Sequence, residues 1–175
     1  MLKRLERLAT ELLAKNPWWE YRHDRHTQPN GEAGEYYYVH TPGSVMIIPV
    51  TAEGKLVFVK QYRYLNSNES IEFVGGGVKE GLIPETAAAN ELREETGYQA
   101  ETLTKIGFFN PMNGVTDELC TVFIAHGLKQ FTATPDTSEE FEMLELTLDE
   151  CREAIRTSSI WDGMTLAAFS LFERH

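Results

Sequence analysis

Cysteine is scarce in this sequence: Cys120 and Cys151 are the two thiols among 175 residues. Too few and too widely spaced for a disulfide framework or a zinc site, they point to a reducing compartment and to two buried thiols. Basic residues are also in deficit. Sixteen Lys and Arg stand against 27 Asp and Glu, a formal charge of -11, and such a surface repels nucleic-acid phosphates. No nucleic-acid partner is expected. Long apolar runs are missing too: no window of about 18 apolar residues offers a membrane-spanning helix. The leucine-bearing N-terminus is interrupted by Arg4, Glu6, Arg7 and Glu11, which a secretory signal would not tolerate. These absences predict a cytoplasmic chain with no membrane partner. Neither an internal repeat nor a low-complexity linker divides it.

What is present suits a folded domain: 42% of the residues are hydrophobic, enough for a core in a chain of this length. Leu2, Leu5, Leu8, Leu12 and Leu13 recur at helical spacing and predict an N-terminal amphipathic helix ending before Pro17. The aromatic runs "WWEYRHD" and "EYYYVH", separated by the turn-prone "TQPNGEAG", predict a hairpin. "SVMIIPV" and "KLVFVKQYRY" around "TAEG" predict a second, more buried hairpin. "SIEFV", "TLTKIGFF", "LCTVFIAH" and "FEMLEL" read as strands, and "LDECREAIRT" and "WDGMTLAAFSLFERH" as helices. Helices interspersed among strands imply an α/β fold, a mixed sheet sandwiched between helices and preceded by an antiparallel hairpin. Residues 1–40 are expected to form an N-terminal helix and aromatic hairpin, and 41–175 the main domain.

The most informative stretch is "GGGVKEGLIPETAAANELREETGY", residues 75 to 98. Pro84 suits a first helical turn, Ala87, Ala88, Ala89, Leu92 and Arg93 suit its interior, and Gly97 supplies a left-handed stop. A helix from about Pro84 to Thr96 follows. Glu91, Glu94 and Glu95 stand at i, i+3 and i+4 on one face, while Ala88 and Leu92 turn toward the core. Three carboxylates near a helix C-terminus repel one another and the dipole, unless an oxygen-seeking divalent cation such as Mg2+ or Mn2+ joins them. Glycines 75 to 77 leave room for a backbone carbonyl to approach that cation and for a diphosphate.

The order of strand, glycines, loop, helix and acids resembles the Nudix box, a glycine, five residues, a glutamate, seven residues and then "REUxEExGU" with U apolar. Gly76 takes the glycine position, and Glu91, Leu92, Glu94, Glu95, Gly97 and Tyr98 take theirs in "ELREETGY". Two positions depart: Leu82 replaces the first glutamate and Asn90 the arginine. In the family these side chains pair, so both halves of one ion pair are exchanged together, and neither charge is left unpartnered. The resemblance implies the Nudix fold and metal-assisted hydrolysis of a diphosphate.

Beyond the box the chain resembles the branch of Nudix hydrolases acting on ADP-ribose and other nucleoside diphosphate sugars. "VKQYRY" is similar to that branch's "QYR" strand and implies that Arg63 faces substrate phosphate. "IEFVGGG" is similar to "ElPAGk", which places Glu72 near substrate and gives Gly75 a metal-binding carbonyl. "FFNPMNGVTDE" resembles the loop "YPSPGfsdE", keeping Pro111, Gly114 and Glu118, with Asn113 in place of a proline associated with ADP-ribose preference. The C-terminal third resembles these enzymes in "SEEFEMLELTLDECREAI" and "IWDGMTLAAFSLF". The resemblance implies metal ligation by Gly75, Glu91, Glu94 and Glu95, and substrate contacts from Arg63, Glu72, Gly76 and Gly114. Trp19, beside Trp18 and Tyr21, is a candidate for stacking on the nucleobase. Glu140 is the favoured general base, with Glu139 and Glu118 as the other candidates. The branch's intertwined dimers imply a homodimer. Two other functions fit the same residues: hydrolysis of another nucleoside diphosphate derivative, and a catalytically weak nucleotide-sugar-binding module, the latter motivated by Leu82 and Asn90.

Overall fold

A computed structural model describes residues 2–131 and 140–175, and the chain forms two compact units. The first comprises residues 1–43 and 110–119. Its strands β1 (Arg7–Lys15), β2 (Glu20–Thr27) and β3 (Ala33–His40) form an antiparallel meander in that order. The aromatic hairpin expected from the sequence is β2 and β3. The expected N-terminal helix is instead strand β1, and its leucines explain the difference. Leu8 and Leu13 fall at two register shifts, between Arg7 and Ala9 and between Leu12 and Ala14, where β1 carries a residue with no opposite partner. The bulges thus accommodate a helical spacing on a period-two strand. Leu5, Leu8, Leu12 and Leu13 stay 42% to 53% exposed, so no apolar packing rewards a helix within this unit, whereas the open edge of β2 offers a hydrogen-bond ladder.

Residues 110–119 belong to the same unit because they dock on β3. The Val39 N–H donates to the Val115 carbonyl at 2.9 Å, the Asp117 N–H to the Val39 carbonyl at 3.3 Å, and the Tyr36 hydroxyl to the Gly114 carbonyl at 3.1 Å. His40 Nδ1 stands 2.8 Å from Asp117 Oδ2.

The second unit comprises residues 44–109 and 120–175. Its elements are β4 (Ser44–Pro49), β5 (Leu56–Arg63), β6 (Asn68–Glu72), β7 (Val74–Gly77), α1 (Pro84–Thr96), β8 (Tyr98–Gln99), β9 (Thr102–Phe109), β10 (Cys120–His126), β11 (Lys129–Gln130), β12 (Glu142–Leu146), α2 (Leu148–Arg156) and α3 (Gly163–Phe172). A mixed four-stranded sheet runs β7-β4-β10-β9, a three-stranded sheet runs β12-β5-β6, and β8 pairs with β11. The parallel pair is β4 with β10.

The second expected hairpin is therefore corrected. β4 and β5 are both strands, β4 buried throughout and β5 in its first four residues, but apart from one bridge between Val50 and Leu56 they part into different sheets. The reason lies in β4: all six of its residues are buried, and a strand apolar on both faces belongs at a sheet centre with layers on each side. Met46 and Ile48 point into one cluster with Phe58, Phe73, Val122, Cys151, Ile160 and Phe169. Val45 and Ile47 point into the other with Val59, Val74, Ala88, Leu92 and Phe123. Helices α2 and α3 close the first layer and α1 the second.

Candidate active site

Helix α1 forms where the sequence predicts it. Pro84 occupies its first turn, Thr96 its last residue, and Gly97 adopts φ 72 with its N–H on the Arg93 carbonyl. Ala87, Ala88, Leu92 and Thr96 are its buried residues, which fixes the roll of the helix and turns Glu91 and Glu95 toward β7.

The glycines are themselves a strand. Val74, Gly75, Gly76 and Gly77 pair with Ile47, Met46, Val45 and Ser44 of β4. A Cβ on Gly75 would lie 2.5 Å from the Val45 carbonyl oxygen, so the bare backbone is needed for β7 to reach β4. At Gly76 the obstacle is different: a Cβ there would lie 2.5 Å from the Glu91 carboxyl carbon and one of its oxygens. The missing side chain is the space that the Glu91 carboxylate fills. Next to it the Gly75 N–H donates to Glu95 Oε2 at 3.3 Å. Glu94, on the same helix, is exposed.

Arg63 and Glu72 form the second half of the cluster. Both occupy one face of the β5–β6 ladder, and the Arg63 Nε donates to Glu72 Oε1 at 2.7 Å while Nη2 donates to Oε2. Gln61 Nε2 reaches the same Oε2 at 3.5 Å. The Glu72 side chain is 6% exposed and that of Arg63 48%, so the carboxylate anchors a guanidinium that still faces solvent. The hydrogen bonds that Arg63 donates to Glu72, with further charge from Glu72, Asp162 and Glu95, raise the Arg63 pKa above its ordinary value against the opposing effect of burial. The guanidinium is a permanent cation beside the glutamates.

Six residues singled out by the sequence therefore meet: Arg63, Glu72, Gly75, Gly76, Glu91 and Glu95. Glu140 is exposed two residues before β12, and Glu139 lies outside the described residues. Trp19, Gly114 and Glu118 belong to the first unit, where the Asn16 side chain accepts the N–H groups of Trp18 and Trp19, each at 2.9 Å, and the Glu118 N–H donates to Thr116 Oγ1 at 3.1 Å.

Among the described residues no three His, Cys, Asp or Glu side chains stand close enough to hold a metal ion alone. A cation at β7 thus needs backbone, phosphate or water oxygens besides Glu91 and Glu95, which is the coordination habit of magnesium. The donors fit that group: two carboxylates, a side-chain-free strand between them and no soft ligand.

The departing pair is also located. Leu82 is partly exposed, and Asn90 accepts a 3.5 Å hydrogen bond from Arg93 Nη2. Asn90 borders a surface hollow of about 380 Å³ with Ile83, Glu85, Thr86, Ala89, Ala100, Glu101 and Leu103.

Sequence reasoning missed Gln61 and Asp162. Gln61 lies two residues before Arg63, hence on the same strand face. Asp162 caps α3, accepting the Thr165 N–H at 2.7 Å, and an Asp three residues before a Thr at the head of an apolar helix is the signal that marks it.

The NUDIX domain family model matches residues 40–162. The chain is similar to the ADP-ribose pyrophosphatase of Bacillus subtilis (strain 168), 35% identical over 147 residues that cover 83% of this chain and 80% of that protein. It is also 36% identical over 142 residues to the methanol dehydrogenase activator of Bacillus methanolicus, covering 80% of this chain and 77% of that one. A solved structure of an ADP compounds hydrolase matches with a TM-score of 0.85 at 19% identity, over 99% of this chain and 95% of the other, a likeness of fold.

Proposed function

The chain belongs to the NUDIX domain family, and from that premise we propose that it hydrolyses the diphosphate of a nucleoside diphosphate sugar, ADP-ribose or a close relative, to a nucleoside monophosphate and a sugar phosphate. The observation that carries this reading is the Glu91 carboxylate seated in the space over Gly76, beside Glu95 on the Gly75 N–H and the anchored Arg63. Glu91, Glu95 and the Gly75 carbonyl would hold Mg2+ or Mn2+, and Glu94, exposed on the same helix, would join them when the ion binds. Such an ion neutralises phosphate charge and lowers the pKa of water. Arg63, held by Glu72 but half open to solvent, grips a phosphate oxygen and orients the diphosphate. Glu140 takes the proton of the attacking water, with Glu139 and Glu118 as the alternative bases. The water oxygen bonds to one phosphorus as the bridging oxygen leaves with the other phosphate, and no covalent enzyme intermediate forms.

The N-terminal aromatic sheet is assigned to nucleobase stacking, through Trp19, and to formation of a homodimer. The compartment assigned is the reducing cytoplasm, where both thiols persist.

The test is product analysis after incubating the protein and Mg2+ with ADP-ribose, GDP-mannose and UDP-glucose. Equimolar nucleoside monophosphate and sugar phosphate are expected from at least one of them. Turnover of a nucleoside triphosphate or dinucleotide alone would move the activity to another diphosphate. Leu82 and Asn90 favour a second reading, a binding module, which tight nucleotide-sugar binding without Mg2+-dependent turnover would establish.

A further inference from the structure

Phe73 lies between two strands of different sheets. β6 ends at Glu72, opposite Val59 of β5, and β7 begins at Val74, opposite Ile47 of β4. At this step the chain leaves one ladder before it joins the next. Phe73 is 2% exposed and its ring stacks on Phe58 at 4.4 Å between centroids, so bulk water does not serve its N–H. A buried donor must find a partner. It finds the hydroxyl of Thr165, 92 residues away, at 3.1 Å.

Thr165 is itself 0% exposed and stands in the first turn of α3, where its own N–H is held by Asp162 Oδ2 at 2.7 Å. The charge of Asp162 in turn acts on Arg63. One helix end therefore reaches both halves of the cluster: the guanidinium through Asp162, and the segment from Glu72 to Gly75 through Thr165.

We propose that Thr165 is a positioning residue for this site: by holding the Phe73 N–H it fixes the crossover from Glu72, itself held on the β5 ladder opposite Val59, to the Gly75 backbone three residues later. The proposal rests on the hydrolase reading given above. It predicts that removing the hydroxyl at constant shape loosens the cation site and slows turnover without weakening substrate capture, which depends on the guanidinium and the substrate's other half.

The test uses full-length Thr165→Val and Thr165→Ser. Three quantities are read: hydrogen exchange of the Phe73 amide by NMR, the Mn2+ dissociation constant by electron paramagnetic resonance, and kcat and KM for the best nucleotide sugar. Thr165→Val is expected to speed Phe73 exchange, to weaken Mn2+ about 10-fold and to lower kcat about 10- to 100-fold, with KM within about twofold. Thr165→Ser, which keeps the acceptor oxygen, is expected to restore all three. A folded Thr165→Val with wild-type Mn2+ affinity and kcat overturns the proposal, as does a folded Thr165→Ser that behaves like valine. If Thr165→Val does not fold, Thr165→Ala read the same way decides. Should the wild type hydrolyse no nucleotide sugar, the hydrolase reading fails, while Mn2+ affinity and amide exchange still judge the role of Thr165. A wild type that binds no Mn2+ removes the site and the proposal together.

Discussion

Gly75 and Gly76 are neighbours, yet an added methyl group meets backbone at one and a side-chain end at the other. Gly75→Ala drives its Cβ onto the Val45 carbonyl oxygen, and since a backbone cannot swing away the sheet must give, at about 1–3 kcal/mol. Gly76→Ala meets the Glu91 carboxylate, which can rotate off at little cost in stability. The expected outcome is a split. Thermal melting falls clearly for Gly75→Ala and by no more than a few degrees for Gly76→Ala, while the latter alone loses about 10- to 100-fold in kcat at nearly native stability. Glu95→Gln tests the charge of its ligand group separately. The amide keeps an oxygen for the Gly75 N–H, so the fold persists, but turnover drops by about 100-fold or more when one carboxylate charge is removed from a metal site. Mg2+-dependent rates at the wild-type level in that variant would reject Glu95 as a ligand.

At the level of elements, β1 shows how a ladder overrides a local pattern. Its far end is tied to β2 by Glu20, which accepts from Lys15 Nζ at 2.8 Å and from Arg22 Nε at 2.8 Å. Those bonds, Lys15 first and Arg22 second, lower the Glu20 pKa from 4.5 to about 2. A carboxylate whose folded pKa is depressed stabilises the fold above its unfolded value and ceases to do so as the pH falls through the folded one. The tie is thus complete above about pH 4.5 and lost toward pH 2. Tryptophan emission from Trp18 and Trp19, next to the turn, should change across that window, and Glu20→Gln should remove that part of the acid response. An unchanged titration in the variant would show that the hairpin end does not depend on this tie.

For the whole molecule, the two thiols and the open sheet give opposite expectations. Cys120 and Cys151 are buried thiols, and burial pushes the Cys151 thiol from 9.0 to about 12. The native protein should therefore consume no thiol reagent at pH 8 and two equivalents after denaturation; rapid native labelling would contradict the burial. Because the folded state keeps a proton on Cys151 that the unfolded chain releases, this group makes stability fall as the pH rises above about 9. The sheet of the first unit, by contrast, exposes all nine residues of β1, and Trp18 is 76% exposed. An exposed, leucine-bearing edge strand is a site for pairing with another chain. Light scattering is expected to report a symmetric dimer, and a monomer at micromolar concentration would count against the assignment of this sheet to dimerisation.

The sequence by itself determined helix α1 from Pro84 to Thr96, the two buried thiols, the aromatic hairpin and the pairing of most apolar runs with strands. Each rests on signals carried within a few residues: a proline at a first turn, a glycine at a stop, an apolar period. It also named from their motifs six residues that the fold brings together in the candidate site: Arg63, Glu72, Gly75, Gly76, Glu91 and Glu95. Tertiary structure decided what those local signals leave open. Whether "RLATELLAK" becomes helix or strand depends on the free edge that β2 offers, and whether β4 pairs with β5 depends on layers that cover both of its faces. Likewise, nothing near Gly76 in the chain reveals that its missing Cβ is the seat of the Glu91 carboxylate, or that the Phe73 N–H is met by Thr165. Those contacts join residues far apart in the chain, and a hydrogen bond or a steric gap between them exists only once the intervening elements have packed.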